Sequence, residues 1–550
     1  MFKNKVVIAV FLFAIILRFW GLGVIPSGFD ADEAAFGYNS YSILKTGADE
    51  YGKFFPLSLK SFGEYKPALY SYLSIPFVWA FDLSPFSVRF VSALFGSLTV
   101  IFFYFFVSKI TKDNKLALVA ALLLAILPWH INLSRTVSEV ILSLFFNIVL
   151  LYSLFVFKET NNKKWLVVVL LATLLSILSY TASRFFTPLL ILLFLLFLRN
   201  KENLKVFIKP YKWLIFLTLT IVVFYTFIDS ANRIKQISIF ETPQTKLVLE
   251  EQIRENEGTP VLLTRAFHNK VINYSRTIIE NYASYFTLDY LFLKGGQPQR
   301  MRIPDAGLFY LWQLPFILFG LYLAFKNKNR IALLMLSWWF ISLIPVALTF
   351  DEIPNVYRSA IILLPILYIC SLGLINFFND RSDIRKIVFG VLIIVSVWEF
   401  FYFVMQYYRQ EVHRPWYRGY AYKELVRDIN KDYEKYEKII ITKAHSSPYI
   451  YLLFYSKYDP KKYQALGSPR DIVANGGFDK FLFSEHDCPS FSFPRKELGS
   501  SGTHLFIDNG NCESLDDLVY NQTTKLIKIV EWKDDSSAFK LLEYNPVKAL

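Results

Sequence analysis

Apolar residues run along this chain in long unbroken stretches, not in the alternation that gives a soluble core its two faces. Stretches near the roughly 20 residues that one bilayer crossing needs fall at about 6–23, 86–108, 116–132, 137–157, 164–182, 184–199, 211–229, 306–325, 331–350, 355–378 and 385–405. The pattern predicts an α-helical polytopic membrane protein of about eleven transmembrane helices. Three polar intervals are long enough to hold structure of their own: 24–85, 229–305 and the tail beginning near 406.

One apolar piece, Pro67–Phe81, is harder to place, because it is short, opens on a proline and holds another at Pro76. Charge decides it. Basic residues gather at Lys3 and Lys5, Lys109–Lys115, Lys158–Lys164, Arg199–Lys212, Lys326–Arg330 and Arg381–Lys386, and such loops mark the cytoplasmic side. If Pro67–Phe81 crossed the membrane, every basic loop from Lys109 onward would face out. Laid along the outer surface, it leaves them all inside. The sequence thus predicts extracytoplasmic surface helices in the first outer loop, a cytoplasmic N-terminus and an extracytoplasmic tail, in a multi-pass protein of the plasma (inner) membrane.

The tail mixes a helix near Tyr420–Tyr433 with strand-like runs at Lys438–Thr442, Lys480–Phe483 and Thr503–Ile507, then a pair at Lys525–Trp532 and Ala538–Glu543. It reads as a small C-terminal α/β domain. The expected organisation is a transmembrane domain over 1–405, with outer loops at 24–85 and 229–305, and the extracytoplasmic domain over 406–550.

Composition changes this picture little. The formal charge of +14 would invite a nucleic-acid partner, but the cations are dispersed among the loops and form no basic patch, so none is expected. Lys3 and Lys5 ahead of Val6–Leu17 resemble a secretory signal. Arg18-Phe19-Trp20 stands where small residues should mark cleavage, so an uncleaved first span is expected. Of three cysteines, Cys370 lies inside a span as packing, while Cys488 and Cys512 can pair if the tail meets an oxidising compartment.

Candidate chemistry begins at Phe29-Asp30-Ala31-Asp32-Glu33-Ala34-Ala35-Phe36-Gly37, where three carboxylates occupy four positions after the first span. Helix capping and complementation of the helix dipole explain one or two of them. Downstream, Gly63-Glu64-Tyr65-Lys66-Pro67-Ala68-Leu69-Tyr70 adds an acid, a lysine and two tyrosines. Arg89, His130, Arg135, Glu139, Arg184, Tyr357 and Arg358 fall at the expected outer ends of spans. Charge beside a span is costly and marks a function or a partner. Each residue alone reads as a snorkelling anchor or a cap, but seven at one depth are expected to surround a cavity at headgroup level. The cations suit a phosphate and the carboxylates suit a base. For the remainder, His130 beside Trp129 reads as an interfacial pair, and Glu399 between Trp398 and Phe400 as a buried hydrogen-bond partner.

That mixture fits a lipid-linked phosphosugar. Transfer from a polyprenyl phosphate needs one side-chain base, because the leaving phosphate is a weak base and needs no acid to protonate it, unlike the carboxylate pair of a glycosidase. A carboxylate, cations and apolar walls complete the kit. The order Asp32-Glu33, then Lys66-Pro67-Ala68-Leu69-Tyr70, then Arg89-Phe90-Val91-Ser92-Ala93-Leu94-Phe95-Gly96 resembles the C-type membrane glycosyltransferases, in particular the protein O-mannosyltransferases and the bacterial aminoarabinose transferases. Leu127-Pro128-Trp129-His130-Ile131-Asn132-Leu133-Ser134-Arg135 with Glu139, and Tyr357-Arg358 ahead of Leu363-Leu364-Pro365, are similar to the same group. The resemblance covers roughly the first 200 residues well, is patchy to about 375 and does not reach the tail.

The resemblance implies that Asp32 is the catalytic base of an inverting single displacement and Glu33 its partner. It implies that Lys66 contacts the lipid phosphate and that Glu139 is a second acid near the site. Tyr70, Arg89, Arg135, Arg184, Tyr357 and Arg358 complete the expected substrate-binding set. Some relatives place a glutamate directly before the lysine and use it in a metal site. Here Tyr65 intervenes, which leaves Glu64 as a displaced candidate for substrate or metal and a divalent metal as an open question. The expected partners are a polyprenyl-phosphate-linked sugar donor, a lipid, glycan or protein acceptor, and membrane lipids. The alternative is a membrane transporter or lipid flippase, which would carry broken helices near the midplane and inverted repeats. A non-catalytic scaffold with the tail as its binding module is a third reading.

Overall fold

The computed structural model describes residues 2–198, single positions between 212 and 223, and 238–240, 243–256, 258–379, 382–413, 418–466, 477–498, 502–512 and 524–546. The chain is mostly helical, with a sheet domain at its C-terminal end. The helices of the first apolar stretches are α1 (Phe2–Phe19), α4 (Pro85–Thr111), α5 (Asn114–Ile126), α6 (Pro128–Ser134), α7 (Glu139–Thr160), α8 (Lys163–Ser179) and α9 (Ser183–Leu198); α2 and α3 belong to the outer loop described below. After the second polar interval come α13 (Gln313–Lys326), α14 (Arg330–Ser342, continued by Ile344–Ala347), α15 (Leu363–Phe377) and α16 (Asp383–His413), that interval holding α10 (Pro243–Glu255), α11 (Val261–Phe267) and α12 (Lys270–Ser284).

Among the described residues, five helices are long and apolar enough to cross a membrane: Pro85–Thr111, Glu139–Thr160, Arg330–Ala347, Ala360–Phe377 and Asp383–Arg409. The count is six if the bent pair α5 and α6 forms one span. Helices stand at each predicted span except 211–229, which lies largely outside the described residues. The stretch predicted at 306–325 becomes helical only from Gln313. The residues before it turn closely past another segment, since a Cβ on Gly307 would sit 2.3 Å from the Phe292 carbonyl oxygen. The chain is an integral membrane protein.

By packing, the chain forms two compact units. One joins Met1–Trp20 with Ser92–Gln406; the other joins Gly21–Val91 with Tyr407–Leu550. Chain order alone would group the first outer loop with the spans, whereas packing groups it with the tail.

In the first unit, Pro128 breaks the third apolar stretch. A proline forces its predecessor out of helical geometry, and Leu127 is extended at ψ 123 with Pro128 at the first helical position, bending α5 from α6 by 59°. The break leaves carbonyls without helical partners. Arg18, fully buried in α1, donates to Leu124 O at 3.2 Å and Ala125 O at 3.1 Å. Arg135 returns the arrangement, donating to Leu17 O at 2.9 Å and Trp20 O at 2.6 Å at the end of α1. A second polar device joins α7, α8 and α9: Asn147 Nδ2 donates to Ser176 Oγ at 2.8 Å and its Oδ1 accepts from Thr187 Oγ1 at 3.0 Å.

In the second unit, the outer loop holds α2 (Ala31–Thr46), the hairpin β1 (Ser58–Ser61) and β2 (Glu64–Pro67), and α3 (Leu69–Phe81). At 13 residues, α3 is about 20 Å long, too short for a hydrocarbon core of about 30 Å. It buries Tyr70, Ser71, Ser74 and Val78 and leaves Trp79 and Phe81 exposed.

The tail builds a six-stranded sheet in the order β4-β5-β3-β6-β8-β7, from β3 (Lys438–Thr442), β4 (Gly477–Phe478), β5 (Phe481–Ser484), β6 (His504–Asn509), β7 (Thr524–Glu531) and β8 (Ser537–Tyr544). β3 lies parallel to β5 and β6, and β7 and β8 form an antiparallel pair. Ile439, Ile440 and Ile441 are fully buried, as a central parallel strand covered on both faces requires. Helices α17 (Tyr422–Lys431) and α18 (Pro448–Tyr455) belong to this unit, and Cys488 is bridged to Cys512.

The loop docks on the tail through close approaches. Gly37 of α2 faces α18 so tightly that a Cβ would lie 2.6 Å from Phe454 Cε2. Gln464 Nε2 donates to Ser42 Oγ and Thr46 Oγ1, both at 3.0 Å.

Candidate active site

The acid-bearing segment is set by its own cap. Asp30 sits at the N-cap of α2 in extended geometry and accepts from Asp32 N at 3.0 Å, while Glu33 reaches back to Asp30 N at 3.1 Å. This is a capping box. It uses Asp30 and Glu33 and leaves the Asp32 carboxylate outside the cap.

The two neighbouring acids then diverge. Glu33 is 1% exposed and takes a two-pronged contact from Arg89 of α4, Nε to Oε1 at 2.9 Å and Nη2 to Oε2 at 2.8 Å. The remaining Arg89 donors go to the Pro26 carbonyl at 2.9 Å, the Leu22 carbonyl at 3.5 Å and the Gly28 carbonyl at 2.7 Å. Asp32 keeps 43% of its side chain exposed and forms an ion pair with Lys66, which is 8% exposed. Lys66 is presented by β2, opposite Leu59 of β1. Its ammonium stands 5.8 Å from the Phe36 ring centre and 5.2 Å from that of Phe62, within range of the attraction between a cation and an aromatic face. Phe36 lies one helical turn beyond Asp32, so the acid and one wall of the lysine's cage share a face of α2.

Tyr70 is fully buried and donates to Val88 O at 3.0 Å, which ties α3 to α4. Glu64 lies in β2 opposite Ser61, and its side chain falls outside the described set. Within the second unit the structure therefore brings Asp32 to Lys66 and Glu33 to Arg89.

Sequence reasoning missed Arg418. Its carbonyl accepts from Phe29 N at 2.5 Å, and Gly28, at φ +72, passes so near that a Cβ would lie 2.8 Å from Arg418 Cβ. The guanidinium is 4% exposed, and its Nε and Nη2 donate no hydrogen bond among the described residues. Asp30 and Glu33 supply its counter-charge. No sequence signal pointed to it, because 388 residues separate Arg418 from Asp30.

In the first unit, Arg135 is 2% exposed and holds the carbonyls at the end of α1. Glu139 opens α7, where its N–H donates to Tyr357 Oη at 2.6 Å, and the Tyr357 ring meets Tyr180 edge-on at 5.6 Å. Arg184 is buried in the first turn of α9. Arg358 donates to Asp351 O at 2.8 Å and Thr349 Oγ1 at 3.1 Å, with the Asp351 carboxylate at 3.4 Å. His130 is not an interfacial residue but a fully buried one, with Nδ1 2.7 Å from Arg18 Nη2. Glu399 accepts from Leu311 N at 2.9 Å, a hydrogen-bond partner as expected but half-buried, not buried. Among the described residues, no three His, Cys, Asp or Glu side chains gather as a metal set.

The architecture is that of the C-type integral membrane glycosyltransferases. ArnT from Cupriavidus metallidurans in its apo state is similar with a TM-score of 0.56 at 12% identity, over 100% of this chain and 99% of that one. The same protein bound to undecaprenyl phosphate gives 0.54 at 13% identity, over 98% and 97%. The oligosaccharyltransferase AglB from Archaeoglobus fulgidus, in complex with an inhibitory peptide and a dolichol-phosphate, gives 0.49 at 14% identity, and the chain spans 64% of its length while 83% of the chain is covered. In sequence, residues 66–228 match the family described as dolichyl-phosphate-mannose-protein mannosyltransferase. That segment includes Lys66 and Arg89 but starts after Asp32. No curated protein matches the chain significantly.

Proposed function

We propose that this protein is a membrane glycosyltransferase that moves a sugar from a polyprenyl-phosphate-linked donor to an acceptor at the outer membrane face, by single displacement with inversion and with Asp32 as base. One observation carries the reading. Of two adjacent acids, Glu33 is consumed in the cap and in its buried pair with Arg89, while Asp32 stands 43% exposed against the ammonium of a nearly buried lysine. A carboxylate within reach of solvent can take a proton, and a caged cation beside it can receive an anion.

In the proposed step, the acceptor hydroxyl attacks the anomeric carbon and gives its proton to the Asp32 carboxylate. The bond from that carbon to the phosphate oxygen breaks, and its electron pair leaves on the phosphate beside Lys66. The lipid phosphate bound by ArnT, a protein of the same fold, supports a donor of this class. The phosphate is assigned to Lys66, while Arg135 and Arg358 serve main-chain carbonyls and Asp351. Glu33 and Arg89 hold the acid-bearing turn.

The bridge between Cys488 and Cys512 supports an extracytoplasmic tail, and the acid-bearing loop packs in the same unit as that tail. The basic loops support the converse placement for the other side. The test is Asp32→Asn in purified protein. Release of free polyprenyl phosphate in the presence of acceptor should fall by about 10²–10⁴-fold, the usual contribution of a general base, with a stability loss of about 1 kcal/mol or less. Wild-type turnover in that variant would end the assignment.

A further inference from the structure

A groove of about 610 Å³ opens within the unit formed by Gly21–Val91 and Tyr407–Leu550, a volume in the range of small-ligand sites. Gly23, Val24, Ser27 and Gly28 of the outer loop, with Pro85, contribute to its lining. The tail contributes Tyr420, Lys423, Arg427, Asn430, Tyr455 and, from the turn between β7 and β8, Lys533. Lys423 and Arg427 lie one turn apart on α17, so both chains leave the same helix face. The carboxylate in the lining, Glu424, is engaged by Lys528 at 2.6 Å and by Arg427 at 3.4 Å. Lys423, Arg427 and Lys533 therefore outnumber the one acid of the lining, which Lys528 and Arg427 already meet.

The rest of the lining offers Ser27, the Asn430 amide and two tyrosines, groups that hydrogen-bond a polyol and cover its apolar faces, beside Val24, Pro85 and two glycines. The groove also adjoins the segment that carries the chemistry. The Gly28 carbonyl is held by Arg89 at 2.7 Å, Arg89 holds Glu33, and Asp30 caps α2 two residues further on. The donor phosphate is already assigned to Lys66, outside this lining. We infer that the groove is the acceptor's subsite and that its occupant is a saccharide bearing a phosphate or a carboxylate. This rests on the transferase reading above and adds to it the charge class of the acceptor.

The test uses the full-length protein in nanodiscs, without donor, and three soluble probes followed by ligand-observed NMR: glucose 6-phosphate, glucuronate and methyl glucoside. The charged sugars should bind at least ten times more tightly than the neutral one, and less tightly as salt is raised. Lys423→Ala combined with Arg427→Ala should weaken the charged sugars at least tenfold. Both side chains are exposed and their surface pairs contribute little to stability, so the variant should melt like the wild type. Equal binding of methyl glucoside, unchanged affinity in the double variant, or equal competition by glycerol 1-phosphate as a lipid-headgroup mimic would each overturn the inference. Because binding is read without donor, the two readings fail separately. Transfer that survives Asp32→Asn removes Asp32 as base, and a wild type that releases no polyprenyl phosphate from donor and acceptor removes the transferase reading, while Asp32-dependent transfer without charge-selective sugar binding removes this one.

Discussion

Asp32 and Glu33 differ by one methylene and by about 100° of rotation around a helix. That rotation carries one carboxylate into the protein, where the capping box and Arg89 occupy both of its oxygens, and turns the other toward solvent and Lys66. Glu33 and Arg89 are 1% and 0% exposed, so removing one charge strands the other. Glu33→Gln should therefore cost roughly 3–5 kcal/mol, read from the denaturation midpoint, whereas Asp32→Asn should cost about 1 kcal/mol or less as a partly exposed pair. Replacing Glu33 and Arg89 together by methionine should restore much of the loss. Equal destabilisation by the two single variants would mean that the acids do not have these separate duties.

Among the tail's elements, α17 and β7 are joined by one lysine. Lys528 Nζ meets Asp428 at 2.5 Å and Glu424 at 2.6 Å. Burial alone would raise the Asp428 carboxyl, but hydrogen bonds from Lys528 and Lys431 outweigh it and hold the group below its ordinary value. The hydrogen bonds to Asp428 and Glu424 push Lys528 the other way, above its ordinary value. A depressed acid stabilises the fold above its unfolded value, about 3.9, and that contribution fades as pH falls through the folded one. A raised lysine stabilises below about 10.4 and loses its contribution as pH rises past its folded value. Thermal melts across pH should thus show a plateau from about pH 4 to about pH 10.5, on the order of 1 kcal/mol above Lys528→Met. A Lys528→Met profile parallel to the wild type at both extremes would remove this link between helix and sheet.

For the molecule as a whole, the decisive fact is which side of the membrane each unit faces. Cysteine labelling can read it cleanly, because Cys370 is buried and the other two cysteines are bridged. Lys53→Cys in the outer loop and Lys525→Cys in the tail, both at exposed positions, should react with an impermeant maleimide on intact cells. Lys112→Cys and Lys163→Cys, exposed in the basic loops, should react only after permeabilisation. Labelling of Lys53→Cys confined to permeabilised cells would place the acids inside and end the outer-face reading.

Much of this architecture was legible in the chain because its signals are local. Apolar runs marked the helices, although the span read as unbroken over 116–132 bends at Pro128, and the β-branched run Lys438–Thr442 marked its strand with the bounds the sheet has. The cap expected at the start of α2 stands at Asp30, and the structure completes it with Glu33 as a capping box. A bilayer imposes length and polarity on each span separately, so such features survive being read one segment at a time. What spacing did not determine is pairing across hundreds of residues. That the acid-bearing loop folds against the tail, that Arg418 presses on Gly28, that Arg135 serves the carbonyls of α1 and that a cationic groove opens beside Gly28 all depend on surfaces meeting in three dimensions. Hydrogen bonds and packing act over a few ångströms and are indifferent to sequence distance, so only the folded chain could decide them.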